Sequence, residues 1–109
     1  MAEARAFVGS ATTALDPGVR RDLQLMASEL CTNAVRHGSA PVIISVDCHD
    51  HEVTVVVTDA GSEGRPARQS AGADDATGRG LQIVEELADE WGTSQGAHNE
   101  TVVWFRKTL

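Results

Sequence analysis

The segment that most restricts the fold is Val53-Thr54-Val55-Val56-Val57-Thr58, in which every side chain is β-branched. Such residues are stiff at χ1 and pack best on a pleated surface, so this run reads as a strand. Val42-Ile43-Ile44-Ser45-Val46-Asp47-Cys48 precedes it and reads as another, and only the polar His49-Asp50-His51-Glu52 lies between them. A parallel pair needs a crossover of a dozen or more residues, so this spacing calls for an antiparallel hairpin. A lone hairpin is marginal in water, and its apolar face needs a covering layer.

Helical patterns flank the hairpin. Residues 2–15 are alanine-rich, with Phe7, Val8, Ala11 and Leu15 recurring at three- and four-residue spacing. Asp16-Pro17 offers an N-cap followed by proline at the first helical position, and the helix is expected to run to about His37, with Gly38 as its stop. Its apolar row is Val19, Leu23, Met26, Leu30 and Ala34. Residues 59–77 lack periodicity, and roughly twenty such residues in a small domain usually form a functional lid or a disordered stretch. Gly78-Arg79-Gly80 is read as opening a third helix with Leu81, Val84, Leu87, Ala88 and Trp91 on its core side and Gly92 at its end. After a turn over residues 96–100, Thr101-Val102-Val103-Trp104-Phe105-Arg106 reads as a closing strand. The expected architecture is an α+β two-layer sandwich, with helices on one face of a mixed, mainly antiparallel sheet, forming one domain over residues 1–109.

Charge and composition narrow the function. Nine Lys+Arg against sixteen Asp+Glu give a net charge of −7, which repels phosphate backbones and disfavours nucleic-acid binding. Aromatics are 4% of residues and tyrosine is absent, so base-stacking platforms are scarce. No apolar run reaches the ~20 residues of a membrane span, and Met-Ala-Glu-Ala-Arg is unlike a secretion signal. Cys31 and Cys48 follow no metal or redox spacing and read as reduced thiols, so a cytoplasmic location is expected.

Three groups of residues carry potential chemistry. Glu29, Asn33 and His37 are four residues apart and line one side of the second helix. Glu29 and Asn33 border the apolar row, within ~40–80° of it, where a polar side chain faces a half-buried space or simply a solvated flank. Asp59 shares a strand face with Val53, Val55 and Val57. If that face is the core, its carboxylate points inward and needs a donor such as an exocyclic amine; otherwise Asp59 caps the Asp59-Ala60-Gly61 turn. Thr77-Gly78-Arg79-Gly80-Leu81 is either an anion site of exposed backbone N–H groups at a helix start or an ordinary glycine-containing junction.

The order of these groups resembles the Bergerat-fold (GHKL) ATPases, the superfamily of gyrases, heat-shock chaperones, mismatch-repair proteins and histidine kinases. The resemblance is strongest to the small bacterial anti-sigma-factor serine/threonine kinases and their single-domain actinobacterial relatives. It rests on Glu29-Leu30-Cys31-Thr32-Asn33-Ala34-Val35-Arg36-His37-Gly38, on Asp59-x-Gly61, on Thr77-Gly78-Arg79-Gly80-Leu81-Gln82-Ile83-Val84 with Leu87-Ala88-Asp89-Glu90-Trp91-Gly92, and on Thr101-Val102-Val103-Trp104-Phe105. It covers about residues 4–105.

The resemblance implies ATP and Mg²⁺ as cofactors. Asn33 would hold Mg²⁺ through its amide oxygen, and Glu29 would be the general base for an attacking serine hydroxyl. Asp59 would accept from the adenine amine, with Gly61 giving the base room. Gly78, Arg79, Gly80 and Leu81 would meet the phosphates, Thr101 would lie beneath the adenine, and Arg36 and His37 would contact phosphate or a lid at about 60–80. The implied role is a kinase that phosphorylates an anti-sigma-factor antagonist of STAS type, binds a sigma factor and controls transcription by partner switching. The alternative is a nucleotide-gated binding module without phosphoryl transfer. Three features depart from the family. Glu100 stands where lysine is common, the aspartate box reads Asp59-Ala60-Gly61-Ser62-Glu63-Gly64, and the N-terminal strand common in relatives is not expected before the first helix, which would leave a sheet edge for a homodimer partner.

Overall fold

A computed structural model of the chain describes residues 2–61 and 75–109. In order it has α1 (Ala2–Ala11), α2 (Pro17–His37), β1 (Val42–His49), β2 (Glu52–Asp59), α3 (Asp75–Leu87), β3 (Glu90–Gln95) and β4 (Thr101–Thr108). The strands form a sheet of order β1-β2-β4-β3, and every neighbouring pair is antiparallel. The expected hairpin is β1–β2, closed at His49↔Glu52. The parallel component expected of a mixed sheet is absent among the described residues: β2 and β3 run the same way, but β4 lies between them and is antiparallel to both.

Strict alternation along β2 builds the interior. Val53, Val55 and Val57 are buried, whereas Thr54, Val56 and Thr58 face the other side and are half-buried. The buried valines meet Leu23, Met26, Ala27, Leu30, Cys31 and Ala34 of α2, with Ala4 and Val8 of α1, Val84 of α3 and Phe105 of β4 completing the core. The amphipathic row expected for α2 is therefore the central wall of the core. Its start follows the expected chemistry: Asp16 Oδ2 accepts from the N–H groups of Gly18 (3.0 Å) and Val19 (3.3 Å), with Pro17 as first helical residue. On the outer sheet face Arg106 ties three strands together, pairing with Glu52 at 3.2 Å and with Glu90 and lying over the Trp104 ring.

Several boundaries differ from those expected. α1 stops at Ala11 rather than Leu15, where the hydroxyl of Thr12 donates to the Val8 carbonyl (2.7 Å) and the guanidinium of Arg20 caps the Gly9 carbonyl at 2.8 and 3.0 Å. Of the row expected on the core side, Val8 is buried, whereas Phe7 is 45% exposed and Ala4 faces inward in its place. Trp91 and Gly92 belong to β3, not to the end of a helix. Gly92 opposes Trp104, and a β-carbon there would lie 2.8–3.0 Å from the indole. α3 ends earlier, at Leu87, whose carbonyl accepts from Lys107 Nζ at 2.6 Å.

Candidate adenine and phosphate site

β2 delivers Asp59 to the buried face of the sheet, as the valine alternation requires, and the residue is only 6% exposed. Its cross-strand neighbours are Val42 on β1 and Thr101 on β4, so Thr101 stands beside it in register and is half-buried. Both readings of Asp59 hold together: Oδ1 accepts from the Gly61 N–H at 2.6 Å and closes the turn, while the carboxylate faces inward. Oδ2 has no hydrogen-bond partner among the described residues. A buried carboxylate oxygen without a donor is costly, so this atom fits a ligand N–H, such as the amine of adenine.

Gly61 is buried at φ +82, and a β-carbon there would run into the Asn99 carbonyl. Only glycine takes this position easily, so the Asp59-Ala60-Gly61 turn presses directly on the turn preceding β4. That turn also accounts for Glu100. Its carboxylate folds back on Gly96, Oε1 accepts from the His98 N–H at 2.9 Å, and bonds to its own N–H and that of His98 hold the carboxyl below its ordinary range. Glu100 is a turn-capping residue, its charge tied up by backbone donors.

α2 reaches the same corner. Gly38 ends the helix with its N–H on the Ala34 carbonyl (2.9 Å), the Ala60 N–H donates to the Ser39 carbonyl (2.8 Å), and the Ser39 hydroxyl donates to the Gly61 carbonyl. From Gly38, Asn33 lies about 7 Å and Glu29 about 13 Å back along the helix axis at 1.5 Å per residue. Both are half-buried, and neither side chain has a hydrogen-bond partner among the described residues. They are the polar border of the apolar row rather than a fully solvated flank. Arg36 and His37 occupy the last turn and are exposed.

The structure thus gathers Asp59, Gly61, Thr101 and the end of α2 into one corner, with Asn33 and Glu29 leading away from it. The glycine segment differs from expectation. Gly78, Arg79 and Gly80 lie within the first two turns of α3, which begins at Asp75, so the helix start precedes them by three residues. Gly78 is the fourth helical residue, so its N–H, like that of Gly80, falls within the helix ladder rather than among the four that a helix start leaves unbonded. Leu81 is half-buried and packs on the core, an apolar contact besides any with phosphate. Of the lid expected at about 60–80, residues 62–74 lie outside the described residues, and 75–80 are helical. Sequence reading missed Gly38 and Ser39 as site residues; their only signal was their position directly after the Glu29–His37 row.

The helix-backed antiparallel sheet is the fold of a GHKL-type ATPase domain. Residues 1–107 match the histidine kinase-like ATPase domain, and the chain belongs to that family. No curated protein matches it. Among solved structures, it is similar to the histidine kinase domain of the blue-light activated histidine kinase EL346 from Erythrobacter litoralis. That match has TM-score 0.62 and 20% identity, over 82% of this chain and 47% of that one. The Acinetobacter baumannii histidine kinase AdeS matches with TM-score 0.61 and 16% identity, over 83% of this chain and 47% of that one. Another structure of the Erythrobacter litoralis EL346 kinase matches with TM-score 0.66 and 20% identity, over 87% and 32%. The chain spans less than half the length of these kinases, and at such identities the likeness is one of fold.

Proposed function

We propose that this domain binds ATP with Mg²⁺ and transfers the γ-phosphoryl group to a serine or threonine of an anti-sigma-factor antagonist, controlling a sigma factor by partner switching. The observation carrying the nucleotide is the buried, donor-seeking Oδ2 of Asp59 beside Thr101 and Gly61. Support for phosphoryl transfer comes from the half-buried Glu29 and Asn33 on the same helix, since a pure binding module has no use for a general base. No three acidic, histidine or cysteine side chains among the described residues are placed to hold a metal. Asn33 therefore supplies a single amide oxygen, in keeping with an ion whose other ligands are phosphates and water. Asn33 would hold the ion, which would supply neutralisation of phosphate charge. Glu29 accepts the proton of the attacking hydroxyl, and the remaining catalysis is positioning.

The test is incubation with γ-labelled ATP, Mg²⁺ and STAS-type antagonists from the same genome. Acid-stable label on the antagonist, lost with Glu29→Ala, is the expected result. Acid-labile label would point to a histidine acceptor, and no transfer despite intact ATP binding would refute the kinase.

A further inference from the structure

The sequence reads Gly38 as a helix stop and Ser39 as a turn residue, yet beyond the helix both pack on the Asp59-Ala60-Gly61 turn. The Gly38 backbone, at φ −108 and ψ −153, is one that any L-residue adopts, so torsion does not demand glycine. Space does: a β-carbon there would fall 2.5 Å from both carboxylate oxygens of Asp59. Reaching an ordinary contact of 3.4 Å requires a shift of about 0.9 Å by the carboxylate or the end of α2. Ser39 fixes the other side of the same carboxylate. Its carbonyl takes the Ala60 N–H and its hydroxyl donates to the Gly61 carbonyl, so the Gly61 N–H stays aimed at Oδ1.

We propose that Gly38 and Ser39 are positioning residues that set the Asp59 carboxylate for reading the purine amine, and so determine base specificity. This rests on the reading of Asp59 as the adenine acceptor. Together they form a rigid join between the helix bearing Asn33 and Glu29 and the turn bearing Asp59. Base recognition and phosphate placement are thereby held in one frame, in which a misplacement near 1 Å can cost about 100-fold in rate.

The experiment is calorimetric titration of wild type, Gly38→Ala, Ser39→Ala and Ser39→Thr with ATP and with inosine triphosphate (ITP), which carries a carbonyl in place of the amine. Wild type is expected to prefer ATP by at least about tenfold, the value of a hydrogen bond to a charged group. Gly38→Ala is expected to lose about 10- to 100-fold for ATP, the worth of a hydrogen bond to a charged group, with ITP nearly unchanged, collapsing the preference. Ser39→Ala loses part of it and Ser39→Thr, which keeps the hydroxyl, restores it. A purely structural role would lower both nucleotides alike, and an unchanged ATP-to-ITP ratio in the variants overturns the proposal. If Gly38→Ala does not fold, the Ser39→Ala and Ser39→Thr pair decides by the same ratio. A wild type that binds both nucleotides equally overturns the Asp59 reading as well.

Discussion

Replacing Asp59 by asparagine should reverse the base preference of the site rather than merely weaken it. The side chain keeps its shape, and the amide oxygen still accepts from the Gly61 N–H that now lies 2.6 Å from Oδ1. The turn therefore stays closed. What changes is the second atom: an acceptor with no partner among the described residues becomes an NH₂ donor. Against ATP this removes a charge-assisted hydrogen bond of about 1.5–3 kcal/mol and sets donor against donor in a buried place. A loss near 3 kcal/mol, or about 100-fold in affinity, follows. Against ITP the new donor meets the base carbonyl, so affinity should rise. Calorimetry with both nucleotides reads the effect, and thermal melting of the apo-protein controls for folding. A parallel fall for ATP and ITP, or no change for ATP, would refute the account of Asp59 as base reader.

Other expectations follow from the core, the β3–β4 turn and the thiols. Phe105 is fully buried at the centre of the sheet, so Phe105→Ala should remove about 3–5 kcal/mol and lower Tm by more than about 12 °C, readable by calorimetric melting. Glu100 is held by backbone N–H groups below its ordinary value of 4.5, so its contribution is present above that pH and is lost as pH falls through the lowered folded value. Melting curves from about pH 3 to pH 7 should therefore show a shallower acid decline for Glu100→Gln than for wild type. Cys48 is exposed, whereas Cys31 is buried and its thiol is pushed up by desolvation. Native protein should thus expose a single fast-reacting thiol to a disulfide reagent, and unfolded protein both; equal fast reaction of both in the native state would contradict this.

Much of the fold was legible because local chemistry and tertiary packing agree along α2, β1, β2 and β4. The capping signal at Asp16, the row from Val19 to Ala34 and the β-branched alternation each have one stable solution, and the structure adopts it. β3 was not legible. Glu90–Gln95 holds a single large apolar residue and a glycine, and it is a strand because β4 pairs with it. Trp91 also continued the helical spacing of Leu81, Val84 and Leu87, so period alone assigned it to the wrong element. The signal lay in Gly92, whose missing side chain makes room for Trp104 on the opposing strand. At the site, Asp59 was readable from alternation. The roles of Gly38 and Ser39 were not, because they arise from contacts across 20 or more residues of sequence.

The central claim is that a nucleotide enters the corner formed by Asp59, Gly61, Thr101 and the end of α2. Calorimetric titration of the purified domain with ATP, with and without Mg²⁺, tests it most directly. The account predicts one ATP per chain, tighter with Mg²⁺ in wild type and not in Asn33→Ala. No heat of binding from folded protein under either condition, or binding unaffected by Asp59→Asn, would contradict it.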